Sequence, residues 1–193
     1  ADAQNYKCHG EIPYSSEREK KMHNGLLADR IWPAHATGRP ARIAALAVIG
    51  SLRVAVAAQV SVPMIPVPTP LQTLAVLMVG AAYGARLGAA TLALYALQGA
   101  LGLPVFANLM GGYAVLAGPT GGYILGFILA AGLVGYLAER GWARTPLRLL
   151  AACLAGAAVL YVPGLLWLSQ FTGATQVFAV GLFPFLPGDV VKA

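Results

Sequence analysis

Residues 87–138, LGAATLALYALQGALGLPVFANLMGGYAVLAGPTGGYILGFILAAGLVGYLA, run for 52 positions without one Asp, Glu, Lys or Arg. A helix needs roughly 20 residues to cross the ~30 Å hydrocarbon core of a bilayer, so this stretch holds two spans and a connection. The connection is legible inside it. PVFANLMGGYAVLAGPTGGY, residues 104–123, has five glycines, two prolines, two tyrosines and one asparagine. Two further charge-free stretches, 32 residues between Arg53 and Arg86 and 40 between Arg148 and Asp189, repeat the pattern. The chain of 193 residues is 58% hydrophobic and 10% charged, with mean hydropathy +0.69, well outside the range of soluble domains. An unpaired backbone group in lipid costs several kcal/mol, so the spans are expected to be helices. The expected fold is an all-α integral membrane protein, a bundle of six transmembrane helices with ordered outer loops.

The spacing predicts helices over 41–60, 70–85, 87–103, 121–138, 147–168 and from 174 to the end. The second and third are short, roughly 25 Å, and are expected to be buried inside the bundle. Arg39 and Arg42 precede the first helix, Arg86 lies between the second and third, and Arg140, Arg144 and Arg148 lie between the fourth and fifth. The intervening loops carry no basic residue. By the positive-inside rule the basic side is cytoplasmic, both termini are cytoplasmic, and residues 104–123 lie outside.

Residues 1–40 form a polar extension with six Lys or Arg, five Asp or Glu and all three histidines. It lacks the apolar core of a secretory signal and reads as a disordered tail or a leader added for expression. The six-helix membrane domain is residues 41–193, and the last helix looks truncated at Ala193. His9, His23 and His35 have no metal-ligand spacing, and Cys153 reads as a small core residue, so no metal site is expected. No phosphate loop, nucleophile elbow or His-Glu metal helix is present in the sequence, so no catalytic residue and no cofactor are assigned. The net charge of +6 suits anionic membrane lipid and requires no nucleic acid.

Two uncharged outer loops carry unusual backbone. One is residues 104–123; the other, VPMIPVPTPLQT at Val62–Thr73, has four prolines and is expected to be stiff and extended. Such backbone at membrane depth must be buried in protein or line a cavity. An ordinary surface loop and a loop folded back over a pocket both fit residues 104–123 on composition. FPFLPGDVVKA ends the chain, and its Asp189 and Lys192 are three residues apart, hence on one helix face. Either the pair faces a cavity, as ionisable groups within membranes usually do, or Asp189 caps a helix at the interface while Lys192 snorkels.

VPTPLQT, YGARLGAATLALYALQGALGLPVF, GPTGGYILGF and FPFLPGDVVK occur in the order and spacing of the BioY family. From Ala41 to Ala193 the chain resembles that family, the biotin-specific S component of energy-coupling-factor (ECF) vitamin transporters. The resemblance implies biotin binding and uptake by a protein that is not an enzyme. Its implied partners are a transmembrane coupling subunit and two ATPase subunits, in the cytoplasmic membrane of a bacterium or archaeon. It also implies a biotin site at Asn108, Asp189 and Lys192, with Gln72, Gly112 and Tyr123 as neighbours. Asp189 suits the ureido N–H donors, and Asn108 the ureido oxygen; Lys192 meets either that oxygen or the valerate carboxylate. Tyr123 and Tyr161 are candidates to pack on the bicyclic ring.

In this family a small-residue face on the first helix docks the coupling subunit, which here falls on Ala41 and Ala45. Arg53 departs from the family, and at mid-span would cost about 2.5–3.5 kcal/mol unless it faces the bundle or snorkels. Two alternatives stay open, an S component for another vitamin and a structural membrane subunit without ligand.

Overall fold

The computed structural model describes residues 39–62, 69–172 and 176–183. Helix α1, Arg39–Gln59, begins with Pro40 in its first turn, where a missing N–H breaks no helical bond. It ends where Ser61–Val62 (β1) pairs antiparallel with Thr69–Pro70 (β2), and Leu71 N–H donates to Val60 O at 2.9 Å. The proline-rich connection is thus extended at both ends, and residues 63–68 between them lie outside the described residues.

Helix α2, Gln72–Ala100, is broken at Gly84, whose φ of 83° and ψ of 177° are open to glycine alone. The break folds the helix back on itself. A Cβ on Gly88 would lie 3.2 Å from the Cα of Gly80, and Gln72 Nε2 reaches Tyr95 Oη at 2.9 Å. In an unbroken helix those 23 residues would span about 34 Å. The two arms, Gln72–Tyr83 and residues 85–100, fall on the expected second and third spans; their inner faces are buried, with Val76, Leu92 and Tyr95 inaccessible, while Met78 and Leu97 face outward, so the arms are only partly enclosed. The first free amide of the second arm, Ala85 N–H, donates to Glu139 Oε1 at 2.8 Å. A carboxylate at a helix N-terminus satisfies an orphan donor and meets the positive end of the helix dipole.

After a 3₁₀ turn at Ala107–Leu109 and the short helix α3, Tyr113–Ala117, the chain enters α4, Gly121–Glu139. α4 is the central element, with 56% of its most apolar window buried, against 33% for α1 and 28% for α5. Small residues let it approach its neighbours closely. A Cβ on Gly80 would sit 2.6 Å from Ala131 O, and one on Gly126 would sit 2.5 Å from Leu160 O. A second 3₁₀ turn, Trp142–Arg144, leads to α5, Pro146–Thr172, which carries Pro163 in its interior, and then to α6, Val177–Gly181.

The outward faces are apolar. Leu52, Val56, Met78, Leu97, Leu125, Leu129, Val162 and Leu166 are 53–67% exposed, the reverse of a soluble protein and the surface that a lipid environment requires. The chain is an all-α integral membrane protein. Among the described residues three helices are individually long and apolar enough to cross a membrane, and the α2 hairpin adds two shorter arms. Of the expected sixth span, from 174 to the end, the described residues hold the five-residue helix α6, which closes at Gly181; residues 184–193, with Asp189 and Lys192, lie outside the described residues, as do residues 1–38. Arg53 is on the exposed side of α1, within electrostatic reach of Tyr83.

The close α2–α4 packing generates a test. Gly80→Ala should destabilise by about 1–3 kcal/mol, because the new methyl meets backbone that cannot swing aside. Gly132→Ala, whose Cβ meets only Ala89 Cβ at 3.8 Å, should be neutral or stabilising by up to about 1 kcal/mol. Thermal unfolding of the two variants in detergent compares them directly.

Candidate functional site

Segment 104–112 is not a free loop. Phe106, 3% exposed, lies edge-on to Tyr95 with ring centroids 5.5 Å apart, and its ring fills the space beside Gly99 that any Cβ would occupy. The hydroxyl of Tyr95 accepts from Gln72 Nε2 and donates to Val105 O, both at 2.9 Å. From α1, Gln59 Nε2 donates to Phe106 O at 2.8 Å while its Oε1 accepts from Leu109 N–H at 3.0 Å. Phe106 N–H donates to Met110 O at 3.0 Å and closes the loop on itself. Gly112, with φ 98°, donates its N–H to Gly99 O at 2.7 Å and ties the segment to the end of α2.

At the apex stand Asn108 and Leu109, with φ of 58° and 57°. This left-handed region suits Asn and is costly for Leu, so it persists only where the surroundings dictate it. The outcome is an exposed carboxamide carried on a loop pinned at both flanks.

A second cluster joins α4, α5 and α6. Tyr123, in the first turn of α4, donates its hydroxyl to Gly181 O at 2.9 Å and stands edge-on to Tyr161, ring centroids 6.2 Å apart. Gly164 makes room for the Tyr123 ring, where a Cβ would approach to 2.6 Å. Trp167 Nε1 donates to Gly118 O at 2.9 Å and fastens the far end of the outer segment to α5.

The residues expected at the site therefore divide. Gln72, through Tyr95 and Val105, and Gly112, through Gly99, are each tied to the segment that carries Asn108, whereas Tyr123 belongs to the second cluster with Tyr161. Asp189 and Lys192 fall outside the described residues. Gln72 is buried and engaged with Tyr95, so its amide acts as a strut within the protein. On α1, Ala41 is exposed and Ala45 half-buried. Sequence reasoning did not single out Gln59, Tyr95 or Glu139. Gln59 and Glu139 could have been flagged as polar side chains closing apolar helices, where they can reach backbone left unpaired by a neighbouring break.

The family model described as "BioY family" matches residues 27–193. The chain is 41% identical over 138 residues to a protein of Pyrococcus horikoshii named "Probable biotin transporter BioY", covering 72% of this chain and 81% of that one. It is 40% identical over 144 residues to "Biotin transporter BioY" of Thermotoga maritima, covering 72% and 82%. The fold matches a crystal structure of the S-component for biotin from an ECF-type ABC transporter with TM-score 0.70, at 23% identity, over 82% of this chain and 88% of that one.

Tyr95→Phe tests the strut. It leaves the buried Gln72 amide and Val105 O without their partner and should cost about 1–3 kcal/mol in thermal or denaturant unfolding.

Proposed function

The chain belongs to the BioY family, and on that premise we propose that it binds biotin at its outer face and mediates its uptake as an S component. It is a transport protein and not an enzyme, in keeping with the names its relatives carry. One observation supports the reading best: Asn108 is presented on a loop held at Val105, Phe106 and Leu109 by side chains from two helices. A backbone fixed before the ligand arrives loses little entropy on binding, which favours affinity for a small rigid ring.

In this reading the Asn108 amide donates to the ureido oxygen of biotin, and Asp189 accepts from the ring N–H groups. Lys192, three residues on, supplies an ammonium for the ureido oxygen or the valerate carboxylate. Tyr123 and Tyr161 border the bicyclic ring. Gln72 and Gly112 contribute by holding the outer segment, in line with their observed bonds. A coupling subunit docks on α1 at Ala41 and Ala45, two ATPase subunits hydrolyse ATP, and the loaded protein reorients against them in the cytoplasmic membrane.

The orientation has support of its own. The Ala85–Glu139 bond joins the turn carrying Arg86 to the end of α4 that carries Arg140, consistent with a single basic side facing the cytoplasm. With Cys8 and Cys153 replaced, Ala143→Cys should react with an impermeant thiol reagent only in inside-out vesicles, and Leu103→Cys only in right-side-out ones. The reverse pattern would overturn the orientation.

Equilibrium binding of labelled biotin to the purified chain in detergent tests the site. The parent should bind in the presence of excess thiamine, and Asp189→Asn should weaken binding about ten- to hundredfold through loss of a charge-assisted bond. Displacement by thiamine or riboflavin would assign a different vitamin.

A further inference from the structure

Resting on the biotin reading above, we propose that Gln59 is a positioning residue for the ligand: its carboxamide sets the direction in which Asn108 presents its own. The two bonds straddle Asn108. Nε2 donates to Phe106 O at 2.8 Å on one flank, and Oε1 accepts from Leu109 N–H at 3.0 Å on the other. A further bond from Nε2 to Ala55 O, at 3.3 Å, keeps the side chain against its own helix.

The chemistry is selective for this residue. The turn needs one donor and one acceptor on the same planar group, which a carboxamide supplies; Glu offers acceptors only and Leu neither. Consecutive left-handed residues at Asn108 and Leu109 are held by what surrounds them, and the Gln59 bonds reach Phe106 before the pair and the Leu109 amide within it. Leu109 is exposed, so water can take the place of Gln59 at its amide, whereas Phe106 is buried and its carbonyl loses its donor when Gln59 is truncated. The effect falls on the geometry of Asn108 together with a modest loss of stability, and the double-mutant cycle below separates the two.

The geometry also joins the two outer loops. Gln59 is the last residue of α1, two positions before the β1–β2 ribbon that opens the proline-rich connection. A tilt of α1 is therefore transmitted to the segment that carries Asn108.

The test is a double-mutant cycle on the full chain in detergent with labelled biotin, using the parent, Gln59→Leu, Asn108→Ala and the double variant, with unfolding midpoints alongside. Gln59→Leu should bind about tenfold more weakly, mainly by faster dissociation, with a modest fall in its midpoint from the unpaired Phe106 carbonyl. The double variant should bind no more weakly than Asn108→Ala alone, because one residue acts through the other. Parent-like affinity in Gln59→Leu, or losses that multiply in the double variant, overturns the proposal. Should Gln59→Leu not fold, Gln59→Glu carries the same cycle, since it keeps an acceptor for Leu109 and loses the donor to Phe106. If the parent binds no biotin, the biotin reading fails. Amide exchange at Leu109 then judges the latch alone: faster exchange in the variant upholds it, and unchanged exchange overturns it.

Discussion

Hydrocarbon offers no hydrogen bond, so every interruption of a helix in this bundle must find its partners inside the protein. Two interruptions govern the fold. At Gly84 the second helix turns back, and the carboxylate of Glu139 reaches across from the end of α4 to the freed amide of Ala85. Beyond Ala100 the chain leaves the helix for segment 104–112, and Gln59, Gln72 and Tyr95 take up or relay its carbonyls and one amide. Glu139, Gln59 and Tyr95, polar side chains in or at the ends of apolar runs, each answer a break elsewhere.

The same constraint explains what was legible in the sequence. Charge-free stretches located α4 and α5 to within a few residues, because the thickness of the hydrocarbon core fixes the length of apolar helix that crosses it. The apolar run of α1 was legible in spite of its Arg53, and the α2 hairpin as two short spans around Arg86. The roles of Gln59, Tyr95 and Glu139 were not legible. Each bonds a partner between 10 and 54 residues away, and no local pattern marks such a pairing. Gln72 was singled out as a ligand neighbour, but only the fold reveals that its amide is spent on Tyr95.

The two clusters of the outer segment are built on different principles. Residues 105–112 are held by directional bonds from amides and a phenol, which fix orientation. The Tyr123 cluster relies on edge-to-face rings and glycine-lined space, with the Tyr123 hydroxyl bonded to Gly181 O. A site that joins them combines a rigid polar wall with an apolar one, the arrangement common to pockets for small ring-shaped ligands.

The lengths of the helices carry a mechanical consequence. Gln72–Tyr83 rises about 18 Å, whereas Pro146–Thr172 rises about 40 Å, so no flat bilayer of ~30 Å matches both. The lipid must thin beside the hairpin or the long helix must lean, each at a fraction of a kcal/mol per Å of mismatch. The protein therefore presents an uneven hydrophobic thickness to the lipid around it.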